Sequence, residues 1–163
     1  MGWSLGEHAA HGTHDHDHCI ADALAAAEAL CAQRGARLTE TRRRVLELVW
    51  RGHAPIGAYE ILEALRTEGR GAQPPTVYRA LDFLIEQGLV HRIESRNAFI
   101  GCTRPSERHS CQFLICRNCG SVAELTNPRI AEAIEAGAAA EGFATQRSTV
   151  EIEGQCAECR RAA

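Results

Sequence analysis

The apolar residues in the first half of the chain recur every three or four positions, in four successive segments. Val45, Leu48 and Val49 form such a stripe in the second segment, and Val77 and Leu81 begin another in the fourth. This spacing places the apolar side chains on one face of a helix, where they can pack against a core. The predicted helices cover residues 20–34, 40–51, 58–67 and 75–88.

Residues that start or stop helices stand at the borders of these segments. Thr39 precedes the second helix as an N-cap, because its hydroxyl can accept a hydrogen bond from a free backbone N–H. Pro75 opens the fourth, since proline is favoured in a first helical turn. Gly35, Gly52 and Gly88 follow the ends of the first, second and fourth segments. The borders therefore predict four separate helices.

The pattern changes to short strand-like runs after residue 88. Residues 89–94 and 98–102 are predicted strands, and residues 95–97 form the tight turn between them. Three helices followed by a hairpin is the order of a winged helix-turn-helix, in which the last helix enters the major groove of DNA. We therefore predict a winged helix-turn-helix DNA-binding domain over residues 20–96.

The second half of the chain mixes strands with one Ala-rich helix. The helix is predicted over residues 128–141, with Asn127 as its N-cap. The predicted strands cover residues 112–115, 121–125 and 145–153. The fold class is thus α+β, with the winged-helix domain followed by a hinge at 97–109 and a C-terminal α/β domain over 110–163.

Cysteine spacing gives the C-terminal domain its candidate chemistry. Two Cys-x-x-Cys hooks, Cys116/Cys119 and Cys156/Cys159, have the spacing at which four thiolates hold one tetrahedral zinc ion. Such a zinc is structural, because its binding free energy becomes folding free energy. The alternative is a thioredoxin-like redox motif, which needs a hook at the start of a helix. The strand-like stretch after Cys119 and Gly120 argues against that alternative.

Composition narrows the class of protein. No apolar run approaches the length of a membrane span, and residues 1–12 lack the basic start and apolar middle of a signal peptide. We expect a cytoplasmic protein, in which cysteines are metal ligands or reduced thiols rather than disulfides. The sequence contains no Ser/His/Asp set, P-loop or Gly-rich nucleotide motif. Neither an enzyme nor a small-molecule substrate is therefore expected.

The net charge of −3 comes from the N-terminal tail. Residues 1–19 hold three acidic residues and no Arg or Lys, whereas residues 20–95 hold ten Arg and ten Asp or Glu. The DNA-binding segment therefore has no net charge that would repel DNA. It can attract DNA if its arginines lie on the face that meets the DNA and its acidic residues lie elsewhere. The tail, residues 1–19, is predicted to be disordered and His-rich. Its histidines could bind metal loosely or belong to a solvated segment with no specific role.

Three stretches together resemble a known family, namely AQRGARLTETRRRVLELV, PPTVYRALDFLIEQGLVHRIES and HSCQFLICRNCG. They are similar to the Fur family of bacterial metal-dependent repressors, and the second is most similar to its zinc-sensing members. The iron sensors carry a His-rich motif before the first hook, but Ser110, Cys111 and Phe113 stand there in this chain. The resemblance implies a homodimer, joined through residues 110–163, that binds palindromic operator DNA when zinc-loaded and represses zinc-uptake genes.

The resemblance also implies a second, regulatory zinc site, so that each chain would hold one structural and one regulatory Zn²⁺. Its ligands, carried over position by position, are His91, Cys102, His109 and Glu124. One thiolate, two imidazoles and a carboxylate suit Zn²⁺ better than Fe²⁺ or Mn²⁺. Metal binding would close the hinge and fix the position of the recognition helices. Cys111 is a rival of Cys102 as the thiolate ligand, and the sequence leaves both open.

The predicted recognition helix, residues 75–88, would present its N-terminal side chains to the bases. Arg79 is the candidate for a bidentate contact with O6 and N7 of guanine. Thr76 and Tyr78 could touch a phosphate or a thymine methyl, although Tyr78 could instead pack in the core. Tyr59 matches a family position that contacts DNA. The predicted contacts to the phosphate backbone are Arg42, Arg43 and Arg44.

Two alternative functions stay open from the sequence. Within the family, the protein could sense another metal or peroxide, although iron, manganese or nickel would need harder or His-rich ligands. In a different class, the hooks and the His-rich tail would suit a zinc-storage or thiol redox protein. The winged-helix segment would then have no purpose.

Overall fold

The computed structural model describes residues 16–52, 54–105 and 111–162, which fall into two compact units. The first unit, within residues 16–105, contains α1 (His16–Gln33), α2 (Glu40–Trp50), β1 (Ile56–Gly57), α3 (Ala58–Thr67), α4 (Pro74–Glu86), β2 (Val90–Ile93) and β3 (Ala98–Gly101). The second unit, within residues 111–162, contains β4 (Cys111–Cys116), β5 (Val122–Leu125), α5 (Pro128–Ala140), β6 (Thr149–Gly154) and α6 (Ala157–Arg161).

The core of the first unit forms where the apolar stripes of its helices meet. Val45 and Val49 of α2, Ile61 of α3, and Leu81 and Leu84 of α4 are almost completely buried there. Each fully buried side chain of this size contributes about 1.5–3 kcal/mol relative to an exposed one. The stripes read from the sequence are therefore the faces that hold the helices together.

The wing is a three-stranded antiparallel sheet in the order β1-β3-β2. Val90 pairs with Gly101 and Ile93 with Ala98, so the predicted hairpin is present. Its turn is a short 3₁₀ helix followed by Asn97 at φ 46°. Asn tolerates this left-handed conformation better than most residues. With the helices before it, this sheet makes the first unit a winged helix-turn-helix.

Trp50 fixes the wing against α2. Its indole lies so close to Gly101 that a Cβ added at this position would overlap the ring. Only glycine fits there without displacing the indole. Cys102 follows directly, and its N–H donates to the carbonyl of Leu89 at 2.9 Å. Two contacts therefore fix the position of Cys102, namely that of Trp50 in α2 with Gly101 and the hydrogen bond to Leu89, directly before β2.

The second unit is built on a sheet in the order β5-β4-β6, with β4 antiparallel to β5 and parallel to β6. Phe113 and Ile115 of the central strand are buried. In contrast, Leu114 and Ile152 face each other across β4 and β6 and are both exposed, as is Phe143. Helix α5 buries none of its residues. Much apolar surface of this unit is therefore uncovered in a single chain.

Four elements differ from the sequence prediction. Strand β6 begins at Thr149, four residues after its predicted start. Helix α1 begins at His16, four residues before its predicted start, because no Gly or Pro interrupts the sequence there. The two-residue strand β1 and the short helix α6 were not predicted. Residues 1–15 of the predicted tail lie outside the described residues. Among the described residues, no helix is both long and apolar enough to cross a membrane.

Candidate metal centres and nucleic-acid interface

Four cysteine thiols converge in the second unit. Cys116 ends β4 and Cys119 lies in the following turn, while Cys156 caps α6 and Cys159 lies within it. Their four sulfur atoms all lie within 4.8 Å of one another. The sulfurs of Cys119 and Cys156 are 3.8 Å apart. That distance matches the edge of a tetrahedron with Zn–S bonds of about 2.3 Å, and it is far too long for a disulfide bond.

Backbone N–H groups point at these thiols. The N–H of Cys156 donates to Sγ of Cys116 at 3.3 Å, and the N–H of Cys159 donates to Sγ of Cys156 at 3.4 Å. Hydrogen bonds from the N–H groups of Cys119 and Cys156 lower the pKa of Cys116 to about 6. The Ser121 hydroxyl, 3.1 Å from Sγ of Cys119, lowers the pKa of that thiol.

The fourth thiol shows why this donor set fits a metal dication. The hydrogen bond with Cys156, followed by burial, raises the pKa of Cys159 to about 12. Thiolates this close repel one another, so the whole set cannot ionise together unless a cation compensates their charge. Zn²⁺ supplies such a charge and deprotonates coordinating thiols. The geometry and the electrostatics of the four residues therefore both fit zinc.

The second hook lies at a helix N-terminus, which the sequence did not predict. Cys156 is the N-cap of α6, and Cys159 lies in its first turn. The sequence argument against a redox motif thus holds for the hook at Cys116 and Cys119 and is wrong for the other. What separates the site from a redox pair is the convergence of four thiols, since a dithiol pair needs only two.

His91 and Cys102 lie together in the first unit. Both are buried, and their metal-binding atoms lie within 4.8 Å of each other. An imidazole and a thiol are both ligands that zinc prefers. Glu124 lies on β5 of the second unit, and His109 lies outside the described residues. Cys111, the rival thiol, opens β4 in the second unit, where burial raises its pKa.

The N-terminal half of α4 presents polar side chains to solvent. Its apolar face is buried, which leaves Thr76, Tyr78 and Arg79 exposed. Tyr78 is 42% exposed, so the alternative in which it packs in the core is wrong. Tyr59, at the start of α3, is also exposed. Thr76, Tyr78 and Arg79 lie at the start of the predicted recognition helix, where such side chains can reach base edges and phosphates.

Arg42 and Arg43 of α2 have different surroundings. Arg42 donates to the carbonyl of Arg37 at 2.6 Å, and its guanidinium lies 3.6 Å from the ring centre of Phe83. Arg43 pairs with Glu28 and Glu47. Arg42, together with Arg79 and three threonines, lines a surface hollow of about 240 Å³. This arrangement places Arg42 beside the recognition helix.

Arg44 is held inside the first unit. It pairs with Glu68 through two hydrogen bonds and with Glu47 through a third, and its side chain is only 18% exposed. These bonds raise its pKa, with the hydrogen bond to Glu68 as the largest cause. A guanidinium bound in this way is poorly placed for a phosphate. The predicted backbone contact therefore suits Arg42 better than Arg44.

Known proteins are similar to this chain in sequence and in fold. The zinc uptake regulation protein of Escherichia coli (strain K12) is 43% identical over 139 residues, covering 83% of this chain and 80% of that protein. The zinc uptake regulation protein of Mycobacterium tuberculosis (strain ATCC 25618 / H37Rv) is 31% identical, covering 77% and 96%. A solved zinc uptake regulator in complex with zinc and DNA superposes with a TM-score of 0.84 at 41% identity, covering 88% of this chain and 96% of that one.

The family model gives the same assignment over most of the sequence. The model of the ferric uptake regulator family matches residues 33–153, from the end of α1 into β6. This range includes helices α2 to α4, the wing and the first hook. The chain belongs to the ferric uptake regulator family.

Proposed function

We propose that the protein is a zinc-responsive transcriptional repressor, which binds palindromic operator DNA as a zinc-loaded homodimer and represses zinc-uptake genes. The observation that carries the proposal is the presence, in one chain, of an exposed recognition helix and of zinc-type ligands in both units. The 43% identity with a zinc uptake regulation protein supports zinc as the metal that is sensed.

Each chain would bind two zinc ions with different roles. The structural ion would be held by the four converging thiols. The regulatory ion would be held by His91, Cys102, His109 and Glu124. Because two of these ligands come from the first unit and two from beyond residue 105, a bound ion would restrict how the winged helices are oriented. A palindrome has half-sites at a fixed spacing, so a restricted pair of recognition helices binds it better.

The uncovered apolar surface of the second unit supports a homodimer. Leu114, Ile152 and Phe143 are large apolar side chains that are exposed in the single chain. Contact with a second copy would remove them from water, which is favourable. We expect sedimentation equilibrium to give twice the chain mass of 17.8 kDa. A monomer mass at micromolar concentration would contradict this expectation.

The function is tested by zinc-dependent binding to DNA selected by the protein itself. Duplexes are first selected from a random library with zinc-loaded protein. Binding of the selected duplex is then measured by fluorescence anisotropy at buffered free zinc concentrations. We expect a palindromic consensus and binding that weakens by at least about tenfold when mild chelation removes one of two zinc ions per chain. Binding that does not depend on zinc would reject the proposal.

Replacing Arg79 with alanine is expected to relax the sequence preference at one position of each half-site. A bidentate arginine–guanine contact contributes about 1–3 kcal/mol of discrimination. Zinc content should not change, because Arg79 is an exposed residue of α4 and not a ligand. The matched control is Arg161→Ala, at an exposed arginine that ends α6. Normal specificity in Arg79→Ala, measured by repeating the selection, would remove this residue from base reading.

A further inference from the structure

In the turn that leads into the recognition helix, the backbone N–H groups of Glu68, Gly69 and Arg70 donate to carbonyls of α3, whereas few of its side chains are buried. The turn runs from Glu68 to Gln73 and contains two glycines. Gly69 has φ +73°, and a Cβ added at Gly69 or Gly71 would meet no atom within 4 Å. Of the six residues in this turn, Ala72 alone is buried. Because glycine loses more conformational freedom on folding than any other residue, such a turn is costly to fix.

Two ion pairs with α2 hold this turn on either side of Gly69. Arg44 donates to both carboxylate oxygens of Glu68, with Nε to Oε2 at 2.8 Å. Nη1 of Arg70 lies 2.9 Å from Oε1 of Glu40. Glu40 and Arg44 are four residues apart, so they lie on the same face of α2. The two pairs therefore act together, as a strap between α2 and the turn.

The Arg44–Glu68 pair is the stronger half of this strap. The two side chains are only 18% and 27% exposed, whereas Arg70 and Glu40 are more exposed. A bidentate arginine–carboxylate pair fixes both partners in one geometry, unlike a single contact in water. Glu68 also faces Arg70 at 3.6 Å and Arg51 at 3.9 Å. Its carboxylate is therefore the centre of the strap.

The start of α4 depends on this turn more than the rest of the helix does. Pro74, Pro75 and Thr76 are not buried, and the buried face of α4 begins at Val77. The core thus anchors α4 from Val77 onward. The position of the first turn of α4 depends instead on the preceding turn, residues 68–73. Thr76 and Arg70 line the same surface hollow of about 230 Å³. The strap and the predicted base-reading end of α4 are direct neighbours.

We propose that Glu68 is a positioning residue, which acts through Arg44 to fix the first turn of α4 and thereby sets sequence discrimination. The proposal rests on the proposed DNA-binding function. Base contacts require side chains in fixed positions, whereas attraction to phosphates depends mainly on the number of charges. Loss of the strap therefore lowers the preference for the selected duplex over a shuffled duplex, whereas a change of charge by itself acts on both duplexes alike.

The test compares binding of zinc-loaded variants to the selected palindromic duplex and to a shuffled duplex of the same composition, at several salt concentrations. In Glu68→Gln and Arg44→Gln, the ratio of the two affinities should fall by about tenfold, the effect of one mismatched base pair. The salt dependence on the shuffled duplex should stay as in the unaltered protein. Glu86→Gln removes the same charge at the exposed far end of α4 and should leave the ratio unchanged.

A rescue variant separates positioning from direct contact. Adding Gly71→Ala to Glu68→Gln restricts the turn without adding charge, and the space around Gly71 accommodates the methyl group. We expect it to recover at least half of the lost discrimination on a logarithmic scale. No recovery, or an unchanged affinity ratio in Glu68→Gln, would overturn the proposal. The proposal would also be overturned if Arg44→Gln reduced the slope of log affinity against log salt concentration by about one, because that reduction identifies a lost phosphate contact.

Thermal melts followed by circular dichroism confirm that each variant is folded at the assay temperature. The two proposals fail differently. If the unaltered protein shows no zinc-dependent binding to its selected duplex, the proposed function is rejected. If the unaltered protein discriminates and Glu68→Gln discriminates equally well, only the positioning role is rejected.

Discussion

Replacing Cys116 with serine is expected to unfold the second unit while the winged helix stays folded. Cys116 is the last residue of the central strand β4, and its sulfur accepts a hydrogen bond from the N–H of Cys156. A serine hydroxyl is not ionised at neutral pH and does not replace a thiolate on zinc. Structural zinc sites contribute roughly 10–16 kcal/mol of apparent binding free energy. That is as large as the whole stability of a typical domain, about 5–15 kcal/mol.

The second unit depends on its metal because its own core is small. Helices α5 and α6 bury no residue, and neither does strand β6. Buried side chains are concentrated on β4, including Phe113 and Ile115. A unit of this size usually needs a metal, disulfides or a partner chain to fold. The zinc would supply what the core lacks.

Cys111→Ser is the matched control for this prediction. Cys111 lies on the same strand and is buried, but it does not belong to the group of four thiols. Zinc per chain is measured by elemental analysis, and folding by circular dichroism melts. We expect Cys116→Ser to lose the second unit's transition and Cys111→Ser to keep it. If Cys116→Ser kept the second unit's transition and the same zinc content as Cys111→Ser, the four thiols would have no structural role.

The sequence predicted those elements whose signals lie within the element itself. Helix α3 covers Ala58–Thr67, the range predicted from apolar spacing, and Thr39 caps α2 by accepting from the N–H of Arg42. Strand β1 has two residues, too few to show a period, and it exists because Ile56 pairs with Phe99. Helix α6 is short and has no apolar stripe; it begins where Sγ of Cys156 accepts from the N–H of Cys159.

The same distinction explains which site residues could be predicted. The hooks are 37 residues apart at Cys119 and Cys156, yet their convergence was predictable, because four thiols with this spacing have zinc as a common partner. The consecutive arginines of α2 look alike in sequence. Arg44 differs because its partner Glu68 lies 24 residues away, and no local pattern pairs one particular arginine with one particular glutamate. Tertiary contacts, which sequence periodicity does not encode, decide the roles of such residues.

Replacing Cys102 with serine is expected to lower the sensitivity to zinc without unfolding either unit. Cys102 is 2% exposed, directly after β3, and its backbone N–H bond to Leu89 does not involve the side chain. Serine therefore keeps the local backbone but removes the thiolate of the proposed regulatory site. Loss of a partner that merely supports a metal ligand already costs about 10–100-fold in affinity. The free zinc concentration needed for half-maximal DNA binding should thus rise by at least about tenfold.

Cys31→Ser is the control that separates ligand loss from burial of a hydroxyl. Cys31 lies in the same unit, is 1% exposed and belongs to the helical core rather than to the metal-type residues. Both substitutions bury a hydroxyl in place of a thiol and should lower the melting temperature similarly. We expect only Cys102→Ser to need more free zinc for half-maximal binding of the selected duplex. If Cys111→Ser abolished the zinc response while Cys102→Ser kept it, Cys111 would be the regulatory thiolate. If Cys31→Ser, Cys102→Ser and Cys111→Ser all kept the zinc response, none of these three thiols would serve the regulatory site.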